Sequence, residues 1–252
     1  MYNSLNSLFA IVLLVGMALA IYTNHIGFQI SVLGIATIYI GLIAWGSANI
    51  RANFFLKSIS HVTDGKLAIT FDDGPSEETI EFLDYLKEKD VRATFFVIGK
   101  NISGNEAILK RMIDEGHTIG SHSFAHDYLF ASRSKRKVKK DMEKCSHLIE
   151  EVIGKRPLLF RPPFGVTTPT LAKAVKAMGV QSVGWGIRTH DGVQQDPQVI
   201  EKKLFKKELS GAIVLFHDTN LNSLEVLEKL ITKTEELGIE IVSLEDEMKA
   251  YA

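Results

Sequence analysis

Leu67-Ala68-Ile69-Thr70-Phe71-Asp72-Asp73-Gly74-Pro75 decides how this chain folds. Its first five residues are apolar or β-branched and suit a buried strand, and the Gly-Pro pair marks the turn that ends it. Two carboxylates therefore stand side by side where a strand gives way to a turn, the place where β/α barrels keep their chemistry. Adjacent ionised carboxylates repel, so the pair is expected beside a compensating cation, a metal ion above all.

Downstream of Lys66 short β-branched or aromatic runs alternate with longer amphipathic stretches, the rhythm of a repeated β/α unit. The pattern predicts strands at Leu67–Phe71, Ala93–Ile98, Thr118–Ser121, Leu158–Phe160, Val180–Gly184, Ala212–Phe216 and Ile239–Val242. Helices are expected at Glu77–Lys89, Asn105–Glu115, Ser134–Ile153, Pro169–Met178, Pro197–Leu209 and Ser223–Leu237, each with apolar residues near a 3.6 period. Ser76 precedes an acidic first turn, and Gly116, Gly179 and Gly238 follow last turns, where a left-handed residue is wanted. The expected fold class is α/β, an irregular barrel of about seven β/α units.

Upstream, Leu5–Tyr22 and Ile26–Trp45 contain no Asp, Glu, Lys or Arg. At ~1.5 Å per residue each can cross about 30 Å of hydrocarbon, which predicts two transmembrane helices. A pair of buried core helices is the bland alternative. A signal peptide cleaved after Ala18-Leu19-Ala20 is another, but no Lys or Arg precedes Leu8 and a second apolar run follows at once, so a hairpin anchor is preferred. Gly27, Gly34, Gly41 and Ala48 recur every seven residues and offer a small-residue stripe to Gly16 and Ala20 of the first helix. The predicted organisation is a membrane anchor over residues 1–50, a linker over 51–65 and one catalytic domain over 66–252.

The chain of 252 residues is 46% apolar, enough for one full-sized core. Its 29 basic and 30 acidic residues balance to −1, which argues against nucleic acid as the main partner. A single cysteine, Cys145, excludes an internal disulfide framework. Nothing in the sequence calls for an obligate protein partner. The basic run Arg133 to Lys140 reads as a solvated helix face.

Ser121-His122-Ser123-Phe124-Ala125-His126 places two imidazoles four apart after a predicted strand, where one helical turn would bring both rings to one side. With one of Asp72 and Asp73 they make three protein ligands and leave an open position for water, the pattern of a catalytic metal site. Of the other histidines, His25, His61, His117 and His147 read as surface or satisfied core residues. Arg161-Pro162-Pro163-Phe164-Gly165, the stretch Trp185 to Asp191, and Leu215-Phe216-His217-Asp218 each follow or end a predicted strand, so barrel topology gathers all these clusters on one face.

Thr70 to Pro75, His122 to His126, Arg161 to Gly165 and Leu215 to His217, in that order, resemble motifs of the NodB-like polysaccharide deacetylases, carbohydrate esterase family four. The likeness covers Lys66 to Ser243. It implies that Asp73, His122 and His126 hold a divalent metal, most often zinc, with cobalt, nickel or manganese as alternatives. Asp72 would be the general base, His217 the acid that protonates the leaving amine, and Arg161 the group that positions Asp72. Asp191 would interact with this arginine or raise the pKa of the catalytic histidine. Pro163, Phe164, Trp185 and Leu215 would contact substrate, Leu215 lining a pocket for the acetyl methyl. One motif departs from the family's form: Arg188 stands in place of an Asp and Gly192 in place of a Trp, which unsettles substrate preference.

The resemblance implies a hydrolase of carbon–nitrogen but not peptide bonds, and the two apolar runs would anchor it to a membrane. It would remove N-acetyl groups from N-acetylhexosamine units of peptidoglycan, a chitin-like polymer or a surface polysaccharide. The rivals are an O-acetyl sugar esterase and a deacetylase or deformylase of a lipid-linked amino sugar. A non-catalytic glycan binder is the reading from another class, against which the intact base, ligands and acid argue. Orientation is in conflict: the family meets its polymers outside the cytoplasm, whereas Arg51 and Lys57 after the second helix point inward by the positive-inside rule.

Overall fold

The computed structural model describes residues 2–23, 26–194 and 196–249. His25 lies outside them. Two apolar helices, α1 (Tyr2–Thr23) and α2 (Ile26–Ala48), precede an α/β body. α2 has a mean hydropathy of 2.0, is unburied, and is long and apolar enough to cross a membrane. The uninterrupted apolar part of α1, Phe9–Thr23, is shorter. Asn3, Ser4, Asn6 and Ser7 break its hydropathy, so one candidate span stands where two were expected. The helices pair through Phe9 stacked on Tyr39, centroids 4.8 Å apart, and through Gly16 against Val32. Gly34 and Gly41 face open space, so the seven-residue stripe is not the contact surface.

Among the described residues nine strands form one curled sheet in the order β1-β6-β5-β4-β3-β2-β8-β7, with β9 also paired to β2. They are β1 (Ser58–Ile59), β2 (Lys66–Asp72), β3 (Thr94–Val97), β4 (Thr118–Ser121), β5 (Leu159–Phe160), β6 (Gln181–Val183), β7 (Ile187–Arg188), β8 (Ala212–His217) and β9 (Glu240–Ile241). Every strand pair runs parallel, as β/α crossovers require. This is the expected irregular barrel, curled but not closed. β1 lies inside the stretch read as a linker, so the sheet already begins there.

Helices α3 (Thr79–Glu88), α4 (Glu106–Asp114), α5 (Lys135–Ile153), α6 (Pro169–Met178), α7 (Pro197–Leu204) and α8 (Asn222–Leu237) follow the strands, and α9 (Leu244–Lys249) comes last. Gly116, Gly179 and Gly238 take φ of +80°, +68° and +65°, as their cap positions demand. α3 starts later than expected because the Thr79 hydroxyl, not Ser76, is committed: it accepts from the Ser76 N–H and donates to buried Asp218 at 2.6 Å.

Strand alternation sorts core from chemistry. Leu67, Ile69 and Phe71 of β2 and Ala212, Val214 and Phe216 of β8 face the helices, where Phe71 stacks on Phe95 at 4.9 Å. The intervening residues point inward. Ala68, Phe96 and Ile213 fill the bottom of the barrel, while Thr70, Asp72, Leu215 and His217 lie above them. The parallel register sets Thr70 beside Leu215 and Asp72 beside His217. The apolar end of a β/α barrel thus supports a polar end built from the same strands.

The C-terminus of α2 is clasped to this body. Thr167 N–H donates to the Ser47 carbonyl at 2.9 Å, Ser47 Oγ donates to the Thr167 carbonyl at 2.7 Å, and Arg51 Nη1 donates to the Gly186 carbonyl at 3.3 Å.

Candidate active site

Asp73, His122 and His126 converge, their ligand atoms all within 4.8 Å of one another. Asp73 Oδ1 stands 3.7 Å from His122 Nε2 and 3.5 Å from His126 Nε2. Those separations exceed a hydrogen bond and match donors bound to one tetrahedral cation, whose ligands ~2.0–2.1 Å from the ion stand roughly 3.3 Å apart. The protonation pattern agrees. His122 Nδ1 faces the Arg161 carbonyl at 2.8 Å, and a carbonyl only accepts, so Nδ1 carries the proton and Nε2 offers its lone pair. Burial pushes the pKa of His122 down to about 3, against the pull of Asp73, and keeps the ring neutral. Asp73 Oδ1 is buried with no hydrogen-bond partner. A carboxylate oxygen facing an imidazole lone pair is repulsive unless a cation lies between them, so these residues fit a divalent metal.

The two histidines do not share a helical turn as expected. Residues 122–126 form a tight loop in which Ser123 and His126 take φ of +67° and +49°, and Asp73 itself sits at +76°. Such conformations cost about 1–3 kcal/mol each and persist where surroundings over-determine them. Here Asp141 of α5 does so, accepting from the Phe124 and Ala125 N–H groups, while Ser123 Oγ accepts from the His126 N–H at 3.0 Å. Gly74 is required for a different reason, because any Cβ there would collide with the Asp218 carboxylate.

Asp72 borders this trio but is held by a different partner. Its Oδ1 accepts from Arg161 Nη1 at 2.7 Å, and the fully buried guanidinium also donates to Thr70 Oγ1 at 2.9 Å and to the Gly184 carbonyl at 2.8 Å. Phe96 supports it from below, 4.1 Å from ring centroid to Cζ. One carboxylate oxygen is thus anchored; the other, Oδ2, lies 3.6 Å from His122 Nε2.

On the opposite wall His217 Nδ1 donates to Asp191 Oδ1 at 2.8 Å. Asp191 is held in turn by Thr189 Oγ1 and Ser223 Oγ, both at 2.6 Å, and by the His217 N–H at 2.8 Å. Burial opposes charging His217, but its bond to Asp191 and the nearby charges of Asp191, Asp72 and Asp73 outweigh it and lift the pKa to about 9. His217 Nε2 points toward Asp73, 3.8 Å from Oδ2. Asp191 therefore partners the histidine rather than Arg161.

A pocket of about 250 Å³ joins these groups, lined by Asp72, Asp73, His122, His126 and His217 with walls of Phe164, Trp185 and Leu215. Pro163, expected to touch substrate, is buried and does not reach the pocket; it shapes the turn that presents Phe164 at φ +58°. Tyr128, Val193 and His190 line the pocket without having been expected. Tyr128 stacks on Phe164 with ring centroids 4.9 Å apart and an interplanar angle of 10°, extending an aromatic wall. Gly192 approaches the His217 ring so closely that a Cβ would lie 3.1 Å from Cε1. His117 is a core residue, as expected, but only half satisfied: its Nδ1 accepts from the Ala93 N–H at 3.1 Å, while its buried Nε2 has no hydrogen-bond partner among the described residues.

The polysaccharide deacetylase family model matches residues 60–183. A peptidoglycan-N-acetylglucosamine deacetylase of Listeria monocytogenes, PgdA, is 34% identical over 185 residues, 73% of this chain and 39% of the relative, so the chain spans well under half of that protein. A peptidoglycan-N-acetylglucosamine deacetylase of Bacillus cereus is 34% identical over 187 residues, covering 71% of this chain and 86% of the relative. Among solved structures, a CE4-family pseudoenzyme from Bacillus anthracis superposes with a TM-score of 0.70 at 25% identity, over 75% of this chain and 68% of that one. A fold shared with a pseudoenzyme leaves the reaction to be argued from side chains.

Proposed function

This chain belongs to the polysaccharide deacetylase family, and from that premise we propose that it is a metal-dependent hydrolase that removes N-acetyl groups from N-acetylhexosamine units of a glycan. The observation that carries the reading is one pocket holding a His–His–Asp cluster between an anchored carboxylate and a carboxylate-backed imidazole. Asp73, His122 and His126 would hold the metal, zinc being the ion their donor set suits. When bound, a divalent cation supplies Lewis acidity toward the acyl oxygen and toward water.

The chain's own residues carry the protons. Asp72 has Oδ1 committed to Arg161, so Oδ2 is the atom that takes a proton from the attacking water. An amine leaves only when protonated, and His217 Nε2, charged at neutral pH because of Asp191, is the atom that delivers that proton. Leu215 borders the acetyl methyl, and Phe164, Tyr128 and Trp185 form walls against which a sugar ring can stack. The apolar helix α2 is proposed to fix the enzyme to a membrane.

The test is acetate release from N-acetylglucosamine oligomers by the purified full chain. Activity that is lost to a chelator and restored by zinc or another divalent ion supports the reading. Full turnover by His126→Ala refutes it.

A further inference from the structure

Beside the catalytic pocket lies a second, larger groove of about 500 Å³ whose lining includes Arg51, Arg188, Lys203, Lys206 and Lys207 and no carboxylate. None of these five cations forms an ion pair among the described residues. In a chain whose net charge is −1, five uncompensated cations around one concavity are a local excess, and like charges gathered this way repel unless an anion joins them. All five are exposed, and two of them are held in place. Arg51 is fixed by its bond to the Gly186 carbonyl, and Arg188 lies over the Trp185 ring, 5.5 Å from the centroid. The pKa of His190 is lowered by burial and then by Arg188 and Lys203, against the pull of Asp191. The basic run on α5 differs in being spread along a helix face rather than gathered around one concavity.

Two further facts give the anion its setting. Trp185, Arg188 and His190 line both the groove and the catalytic pocket, so one ligand can occupy both. Another side of the groove is formed by Ala48, the last residue of the apolar helix α2, and by Asn49 to Arg51, which follow it. A sugar in the pocket, an anionic bridge in the groove and an apolar tail beside α2 would lie in one line. Neutral hexosamine polymers have no group for five cations to meet.

We infer that the groove binds the phosphate or diphosphate of a lipid-linked amino sugar whose N-acetyl group enters the catalytic pocket. The inference rests on the deacetylase reading and names its substrate class. Arg188 and Lys203, next to the shared wall, would hold the phosphate nearest the sugar, and Lys206, Lys207 and Arg51 the lipid-side charge.

The experiment uses the full chain, metal-loaded, in phosphatidylcholine nanodiscs, with farnesyl diphosphate as probe and farnesol as its uncharged control, followed by titration calorimetry. The expected result is binding of the diphosphate about tenfold or more tighter than farnesol, weakening with salt and falling at least about tenfold in K203E/K206E/K207E. K203A/K206A/K207A, with a smaller loss, guards against a folding defect in the charge-reversed protein. In turnover, a farnesyl-diphosphate-linked N-acetylglucosamine should show a lower KM than a neutral N-acetylglucosamine tetramer, an advantage the triple variant abolishes. Equal binding of diphosphate and farnesol, or indifference to the lysine changes, overturns the inference. So does displacement of the probe by phosphatidylglycerol in the disc, which would assign the groove to a bilayer headgroup. Probe binding with no acetate released from any substrate would overturn the deacetylase reading while still supporting the phosphate groove.

Discussion

The catalytic pocket and the groove beside it share a wall, yet they treat charge in opposite ways. In the pocket Asp72 is paired with Arg161 and His217 with Asp191, while Asp73 and two imidazoles frame the place a cation would fill. In the groove no cation is paired with a carboxylate among the described residues. Compensated charge inside a barrel is preorganised, with dipoles and donors fixed before substrate arrives. Uncompensated charge on a rim attracts something from outside. The difference separates residues that act on a bond from residues that choose which molecule presents it.

Mutations can break that contrast. The largest effect is expected at the metal cluster: Asp73→Asn or His126→Ala should reduce acetate release to background and lower bound zinc measured by atomic absorption. Next come the proton carriers. Asp72→Asn and His217→Ala should each cost about 10²- to 10⁴-fold in kcat, with His217→Ala losing less on an O-acetyl ester, whose leaving group needs less protonation. Arg161→Met should show up in stability as well as rate. It strands Asp72 without its partner, and breaking a buried pair costs about 3–5 kcal/mol, readable as a lowered denaturation midpoint. Changing Lys203, Lys206 and Lys207 to alanine should leave stability within about 0.5 kcal/mol, as expected for exposed residues outside any core contact.

A pH profile sharpens the same point. Asp191 favours the imidazolium of His217, whose pKa stands near 9, so the acid form survives through neutral pH and is lost as pH rises through that value. Removing the carboxylate in Asp191→Asn takes that support away, and the alkaline limb of kcat/KM should move to lower pH. The linkage to stability has the same sign. A folded pKa raised above the unfolded ~6.5 contributes stability in full below that value and loses it toward 9. Wild type should therefore lose more stability than Asp191→Asn between neutral and alkaline pH, measured by denaturant titration.

Legibility in the sequence followed the range of the interaction involved. β2, β4 and β8 and the amphipathic helices were foreseeable because their apolar spacing is a local property, and Asp72 and Asp73 fell at a strand end for the same reason. β1 and β7 were not. Each has two residues and exists only through pairing with β6 and β8, so neither carries a periodicity. The convergence of His122 and His126 was foreseen but not its cause, since the loop depends on Asp141, which lies on α5 and reaches back to the Phe124 N–H. The partner of Asp191 stayed open until the register placed Ser223 and His217 against it. The cationic groove had no signature at all: its five residues come from three separate stretches of chain, and only the docking of α2 on the barrel brings Arg51 to Arg188.

That docking also sets how far the enzyme can work. A catalytic body on a floppy leash would sweep a broad volume of its surroundings. Here Ser47 of the last turn of α2 accepts from the Thr167 N–H and returns a bond from its hydroxyl to the Thr167 carbonyl, leaving no slack between helix and barrel. With the helix in a bilayer, the mouth of the pocket rides at one fixed height, and substrate must come to that plane to be cut.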